Sequence, residues 1–244
     1  MNPDLLIALS LLIVGFLYAS VGHGGASGYL AVLSLFAVPV MLYKPMILVL
    51  NMVVAGIGFI QFYRAGYFRW DRCWPFLISS IPLAYVGSMI KLPEGNFHLL
   101  LGIALVVPVI RLLGFGPREQ QHSQPVNLAL ALLLGGMMGF LAGLLNIGGG
   151  IFLSPVLVLL AWANAKEAAA VSSLFIVLNS FAGLLGNTGQ GFELNYSTGL
   201  WFVAAVAGGA VGAYFGSHRF ALPTVRFLLS TVLLLASVKL IFFM

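Results

Sequence analysis

One glycine-broken apolar element occurs twice in this chain, at residues 15–37 and again 124 residues later at 139–161. The two stretches match without gaps at the glycine pairs and along the apolar arms. The matched positions are Gly15-Phe16-Leu17 with Gly139-Phe140-Leu141, Gly24-Gly25 with Gly148-Gly149, Val32-Leu33 with Val156-Leu157, Leu35 with Leu159, and Ala37 with Ala161. Ala84–Ser88 and Ala213–Ser217 match again near the ends. We therefore predict two homologous membrane repeats, residues 1–114 (the first half) and 126–244 (the second half), joined by a cytoplasmic linker at 115–125.

Ten apolar runs fill the sequence, five in each half. They cover 5–21, 28–43, 45–63, 73–90, 97–113, 127–145, 151–163, 167–188, 198–216 and 224–244. Most approach the roughly 20 residues that a helix needs to cross the hydrocarbon core, but the runs beside the glycine clusters are shorter. A chain that is 61% hydrophobic and 7% charged cannot cover a water-facing surface. Because backbone groups in lipid must bond internally, we predict an all-α polytopic membrane protein with about 8 to 10 helical segments.

The basic residues divide unevenly between the two sides of the predicted bundle. If each half opens with a helical hairpin, crossing or re-entrant, one side receives Arg64, Arg69, Arg72, Arg111, Arg118, Lys166, Arg219 and Arg226, and the other Lys44, Lys91 and Lys239. The positive-inside rule makes the first side cytoplasmic and places both termini on the outer side, periplasmic or extracellular. The opening Met-Asn-Pro-Asp has no basic n-region, so we expect the first run to remain in the mature protein.

Each half is predicted to consist of a glycine-broken hairpin followed by three transmembrane helices. It then crosses the membrane an odd number of times. The second half must enter from the opposite face, so the repeats are predicted to be inverted. Inverted repeats around broken helices, with a midplane substrate site, are a common plan of secondary transporters.

The two glycine clusters, 21–28 and 146–151, are the predicted binding site. Adjacent glycines break a helix, and broken backbone at membrane depth must line a cavity or be buried in protein. A helix restarts near Ser27 and near Ile151, and its first amides lack intrahelical partners and favour an anion. The candidate substrate-binding residues are Gly22, His23, Gly24, Gly25, Ala26, Ser27, Asn51, Asn146, Ile147, Gly148, Gly149, Gly150, Ser172 and Asn179.

Few polar side chains accompany these clusters. His23 is the one ionisable side chain deep in an apolar region, so it could donate to an oxyanion or carry a proton, or else merely contact water. Asn51 and Asn179, with Ser172 and Ser173 nearby, could face the substrate or could join helices. No metal-ligand or catalytic spacing is found, and the single cysteine, Cys73, cannot form an intramolecular disulfide. We therefore expect a non-enzyme without cofactor or metal.

Both clusters, Gly22-His23-Gly24-Gly25 and Asn146-Ile147-Gly148-Gly149-Gly150, open a predicted inverted half, and in this the whole chain resembles the TauE/SafE family. That resemblance implies a bacterial inner-membrane protein that moves sulfite, sulfoacetate, thiosulfate or other organic and sulfur-containing anions. The family commonly carries Gly-x-Gly-Gly-Gly and a following proline in both halves. Here Ala26 replaces the third glycine and the first half has no proline equivalent to Pro155, so a fully symmetric site is not expected.

The sequence thus predicts a secondary transporter of small sulfur-containing anions that works by alternating access. Export is the favoured direction, because an inside-negative potential opposes anion uptake by about 2.3 kcal/mol per charge per 100 mV. Uniport and proton coupling through His23 are both left open. The alternative is an anion channel that uses the same glycine loops as a filter. The expected partners are a small anion and the lipid bilayer, with no nucleic acid; homo-oligomerisation is left open.

Overall fold

The computed structural model describes residues 3–93, 95–97, 99–103, 106, 124–187, 196–219, 234, 237 and 238. Within them the chain forms α1 (Pro3–Ser20), α2 (Ala26–Leu35), α3 (Val40–Arg64), a 3₁₀ turn (Trp70–Arg72), α4 (Trp74–Met89), α5 (Leu128–Leu145), α6 (Gly150–Leu159), α7 (Ala165–Gly186) and α8 (Tyr196–His218). Residues 95–97 and 99–103 add helical structure, and no β-strand occurs in the described part.

Five of these helices, α1, α3, α5, α7 and α8, are long and apolar enough to cross a membrane. The prediction of an all-helical polytopic membrane protein is therefore confirmed. Most of the linker 115–125 and of the runs 97–113 and 224–244 lies outside the described residues, as do Arg111, Arg118, Arg226 and Lys239.

The two short helices, α2 and α6, each contain 10 residues. Such a helix is about 15 Å long, which is half of a hydrocarbon core of about 30 Å. The run 28–43, predicted as one apolar segment, is in fact broken, because a turn follows α2 and α3 begins directly after Pro39. Both short helices end in the same way, with Val38 N–H donating to the Leu33 carbonyl and Trp162 N–H to the Leu157 carbonyl, each at 2.9 Å.

Glycines allow the outer helices of the two halves to pack closely on each other. α1 lies against α8, and α4 lies against α5. At each crossing a glycine on one helix faces the backbone of the other, where a Cβ would collide with it. The facing pairs are Gly208 with Leu12, Gly212 with Phe16, Gly139 with Ser80, and Gly143 with Ala84. Because the residue numbers rise together within each pair of helices, both pairs run parallel.

The two long inner helices, α3 and α7, pack on each other and run in opposite directions. Gly58 of α3 faces Ser173, and Gly183 of α7 faces Leu48, at 3.5 and 3.6 Å from the position that a Cβ would occupy. Because a late residue of one helix meets an early residue of the other, α3 and α7 are antiparallel. One apolar core lies mainly among α1, α2, α3 and α8, and a second among α4, α5, α6 and α7.

Charged residues gather at one end of the bundle. Glu167, at the start of α7, accepts hydrogen bonds from Arg72 and from Arg69, whose Nε lies 3.4 Å from Glu167 Oε1. Lys166 Nζ donates to the Tyr67 hydroxyl at 3.2 Å and to the Ser217 carbonyl at 3.4 Å. Three of the cations that the charge count assigned to one side therefore lie together.

The opposite end carries the starts of α1 and α8. There Ser197 Oγ donates to Asp4 Oδ2 at 2.8 Å, and Lys44 Nζ lies 3.5 Å from the centre of the Phe97 ring. Lys44 is one of the few cations that the charge count placed on this second side. Lys44 therefore lies at the opposite end of the bundle from Arg69, Arg72 and Lys166.

Candidate functional site

Two glycine loops precede the short helices: the first glycine loop (21–25) joins α1 to α2, and the second glycine loop (146–149) joins α5 to α6. Gly25 and Gly149 cap the two helices with left-handed backbone, at φ 98° and 76°. A glycine cap has no side chain with which to bind the first amides of its helix. Gly22–Ser27 and Asn146–Gly150 are all buried. Both helix starts are therefore shielded from bulk water.

Asn51, near the middle of α3, lies between the two loops. Its Oδ1 accepts the Ala26 N–H, the first amide of α2, at 3.0 Å, and its Nδ2 donates to Ser180 Oγ of α7 at 2.8 Å. Gly24 packs directly on this amide group, and a Cβ at Gly148 would lie only 2.5 Å from Asn51 Nδ2. One buried side chain thus contacts the first and second glycine loops together.

His23 connects the first glycine loop to the second half. Its Nε2 lies 3.0 Å from Ser154 Oγ of α6, and the Ser154 hydroxyl donates to Ser172 Oγ of α7 at 2.8 Å. The neighbouring Ser173 hydroxyl donates to the Gly22 carbonyl at 2.8 Å. Ser154 and Ser173 of the second half therefore bond the first glycine loop directly, and Ser172 bonds Ser154.

Two tyrosines surround the start of α2. The Tyr18 hydroxyl lies 3.1 Å from Ser27 Oγ. The Tyr29 hydroxyl is buried and has no hydrogen-bond partner among the described residues. It lies beside Gly25, where a Cβ would be 2.6 Å from the Tyr29 oxygen. A buried hydroxyl without a partner costs free energy, so a ligand that accepted a hydrogen bond from it would be favoured here.

Four of the predicted site residues make other contacts in the described structure and no hydrogen bond to Asn51: Asn146, Ile147, Gly150 and Asn179. Gly150 packs on α7, where a Cβ would meet the Ser172 carbonyl at 2.9 Å. Asn146 ends α5 and accepts from Asn187 Nδ2 at 2.6 Å, while Ile147 packs in the first apolar core. Asn179 Nδ2 donates to Ser80 Oγ of α4 at 3.1 Å, which is the helix-joining role, and its Oδ1 is buried without a partner.

The sequence reasoning missed Ser154 and Ser180. A repeat signal points to the neighbourhood of Ser180. Leu48-Val49-Leu50-Asn51 matches Ile176-Val177-Leu178-Asn179 at a spacing of 128 residues, which aligns α3 with α7, and Ser180 directly follows this segment. Ser154 is the one hydroxyl residue in the apolar α6. Such a residue one turn after a glycine break was a usable signal.

The described residues contain no group of three or more His, Cys, Asp or Glu side chains that could hold a metal ion. The polar groups at the loops are amides, hydroxyls and one imidazole. Apart from the imidazole these groups are uncharged, and they suit hydrogen bonding to an oxyanion.

Comparison with known proteins decides the family. Residues 7–240 match the family described as "Sulfite exporter TauE/SafE". The chain belongs to the TauE/SafE family. It is 33% identical over 241 residues, 96% of this chain and 97% of the relative, to "Probable membrane transporter protein y4hK" of Sinorhizobium fredii (strain NBRC 101917 / NGR234).

A second family relative matches part of the chain. "Probable membrane transporter protein YunE" of Bacillus subtilis (strain 168) is 30% identical over 131 residues, 52% of this chain and 44% of the relative. No solved structure matches the chain. The family resemblance predicted from the glycine clusters is confirmed, and the protein is a multi-pass membrane transporter of that family.

Proposed function

We propose that this TauE/SafE transporter is a secondary carrier of small sulfur-containing anions, such as sulfite, thiosulfate or organosulfonates, which bind where α2 and α6 begin. The observation that carries the proposal is the position of Asn51. Its amide contacts Gly24 in the first glycine loop and Gly148 in the second. The starts of the two short helices are thus held next to one buried polar group.

The chemistry of the two helix starts favours an anion. The first amides of a helix point out of its end and carry the positive part of the helix dipole. Asn51 satisfies the Ala26 N–H, and the glycine caps leave the following amides without a side-chain acceptor. The unpartnered Tyr29 hydroxyl adds a donor beside Gly25. A small oxyanion could accept several of these hydrogen bonds.

Inverted repeats are the second part of the proposal. The LVLN and IVLN segments make α3 and α7 equivalent, and these two helices run antiparallel. α2 begins beside the middle of α3 and ends at its start, and α6 stands in the same relation to α7. The two short helices therefore extend in opposite directions from the loops. In such an arrangement each half can rock against the other and open the site to one side at a time.

Burial of the loops favours a carrier over a channel. Gly22–Ser27 and Asn146–Gly150 are all buried, so their backbone groups are shielded from water. An open filter would expose these backbone groups along a continuous path. An occluded site is instead one stage of an alternating-access cycle.

The direction and sidedness of transport follow from the charges. We place the end that carries Arg69, Arg72 and Lys166 in the cytoplasm of a bacterial cell, and both termini outside the inner membrane. Because an inside-negative potential favours the exit of anions by about 2.3 kcal/mol per charge per 100 mV, we propose export. Transport of this kind involves no covalent chemistry.

Counterflow in proteoliposomes tests the proposal. Vesicles loaded with unlabelled sulfite, thiosulfate or a simple sulfonate should transiently accumulate the same labelled anion from outside. Gly24→Leu and Gly149→Leu should abolish this accumulation, whereas Gly199→Leu should keep it, because Gly199 has open space around it. Rapid flux without counterflow would establish a channel, and the absence of all flux from a folded wild type would refute the substrate class.

A further inference from the structure

The hydrogen bonds of Ser154 determine which ring nitrogen of His23 carries a proton. The Ser154 hydroxyl donates its one proton to Ser172 Oγ at 2.8 Å. Ser154 Oγ can then only accept from His23, whose Nε2 lies 3.0 Å away. The neutral ring must therefore carry its proton on Nε2 and leave Nδ1 deprotonated.

We infer that Ser154 is a positioning residue that holds His23 as the Nε2–H tautomer, so that Nδ1 takes up a proton together with the transported anion when the site opens to water. The anion part of this inference rests on the proposed function, because it assumes that the anion binds at the glycine loops. The tautomer part depends only on the hydrogen bonds.

His23 is only 8% exposed, and burial disfavours its protonated ring unless a negative charge lies close. The titratable side chain placed against the ring in the described structure is Tyr18 of α1, with ring centroids 6.2 Å apart. The facing residues of α6 and α7, Ser154 and Ser172, and the nearby Asn51 of α3 carry no charge. A bound anion would then be the nearest negative charge. It would raise the affinity of His23 for a proton, and by reciprocity a proton on His23 would raise the affinity for the anion.

Ser154 should contribute to this proton affinity through its oxygen. A hydrogen bond from a charged imidazolium is roughly twice as strong as one from a neutral ring, so the acceptor stabilises the protonated form more. Its removal in Ser154→Ala should shift the pH midpoint of transport downward by about half to one unit. Ser154→Thr keeps the hydroxyl and should restore the wild-type profile.

The first experiment does not depend on transport. ¹⁵N NMR of histidine-labelled protein in nanodiscs distinguishes the two neutral tautomers, and His23→Gln identifies the His23 signal. We expect the Nε2–H tautomer in the wild type and in Ser154→Thr, and a mixture of tautomers in Ser154→Ala. An unchanged His23 signal in folded Ser154→Ala would overturn the positioning role.

The second experiment measures the apparent KM for labelled thiosulfate, whose charge is constant in this range, from about pH 4.5 to 8.5, which covers both the unperturbed histidine and the lower midpoint that burial favours. We expect the wild-type KM to rise with pH, the midpoint to shift down in Ser154→Ala, and the pH dependence to disappear in His23→Gln. Ser88→Ala is the matched control, because in the described part of the chain the Ser88 hydroxyl bonds the Tyr85 carbonyl of its own helix and no other group.

Two outcomes of the transport experiment separate the inference from the proposed function. A pH-independent wild type that still shows counterflow, or a Ser154→Ala profile that superimposes on the wild type, would overturn proton coupling through His23 and leave the carrier proposal standing. A wild type that moves no anion would refute the proposed function, and the NMR result would still decide the tautomer.

Discussion

Ala37 and Ala161 occupy equivalent positions in the two repeats and share the same left-handed backbone, with φ 55° at each. Each follows a short helix, where the next amide closes back on it: Val38 N–H bonds to Leu33 and Trp162 N–H to Leu157. This is the usual place for a glycine, because a Cβ in the left-handed region costs roughly 1–2 kcal/mol. Both repeats have kept an alanine and a left-handed turn.

Ala37→Gly and Ala161→Gly should therefore each stabilise the protein. Glycine relieves the left-handed strain but loses more chain entropy on folding, so we expect a net gain of about 0.5–1 kcal/mol per site. Titration with SDS in mixed micelles measures this unfolding free energy. Ala31→Gly, in the interior of α2, is the control and should cost about 1 kcal/mol. Destabilisation at all three positions would show that the turns are not strained.

The second glycine loop should not tolerate a side chain at Gly148. Its φ is +69°, and a Cβ would lie 2.5 Å from Asn51 Nδ2 and 2.7 Å from Ser180 Oγ. Gly148→Ala should displace the Asn51 amide, cost more than about 2 kcal/mol and reduce counterflow strongly. Gly199→Ala, with nothing within 4 Å, should instead be neutral or stabilising by up to about 1 kcal/mol. Equal effects of the two substitutions would contradict the close packing of the loop on Asn51.

The charge between the loops can be tested at Asn51. Asn51→Asp keeps an oxygen for the Ala26 N–H but replaces the donor to Ser180 with negative charge. If an anion binds here, we expect counterflow to fall more than about tenfold, which corresponds to about 1.4 kcal/mol of lost binding. Ser180→Ala removes the same Asn51–Ser180 bond without adding charge and should keep most of the activity. Equal losses in both variants would assign the effect to the hydrogen bond and argue against an anion at this point.

Glu167 should contribute strongly to stability. It binds Arg69 and Arg72, and it completes a capping box with Asn164 at the start of α7. The Glu167 and Arg72 side chains are only 10% and 15% exposed, so Glu167→Ala leaves a partly buried arginine unpaired and should cost about 2–4 kcal/mol. Asp71→Ala is the control: Asp71 is 75% exposed and lies 3.9 Å from Arg72, so the change should stay below about 0.5 kcal/mol.

The sequence determined the helices better than it determined the site. Runs of apolar residues specify helices because lipid leaves the backbone no other partner. α5 and α7 begin and end close to the predicted limits, and α3 ends close to its limit but begins earlier, at Val40. The break after α2 was missed because the turn at Ala37 uses an alanine where glycine is the usual signal.

The contacts around the glycine loops depend on how α3 and α7 cross, and residue spacing within one helix does not reveal this. Asn51 and Asn179 are equivalent in the two repeats, yet Asn51 bonds the start of α2 and Asn179 bonds Ser80 of α4. Identical residues thus acquire different partners because their neighbours differ: the residue after Asn179 is a serine, whereas a methionine follows Asn51. The sequence could therefore propose both asparagines as site residues, but it could not predict which of them contacts the glycine loops.

Cysteine labelling tests the assignment of sides. The native Cys73 is fully buried, and this burial raises the pKa of its thiol to about 12. Burial also blocks access of reagents to the thiol, so the native chain should react very slowly with a maleimide. Single substitutions at exposed residues, Asp71→Cys and Lys91→Cys, can therefore be read without removing Cys73.

In intact cells a membrane-impermeant maleimide should label Lys91→Cys, which we place outside, and should label Asp71→Cys only after permeabilisation. Asp71 lies beside Arg72 in the group of charges that we assign to the cytoplasm, whereas Lys91 follows the far end of α4. The reverse pattern would mean that the protein has the opposite orientation in the membrane, with the group of charges outside the cell. Labelling of both positions without permeabilisation would mean that α4, with 16 residues, does not span the bilayer.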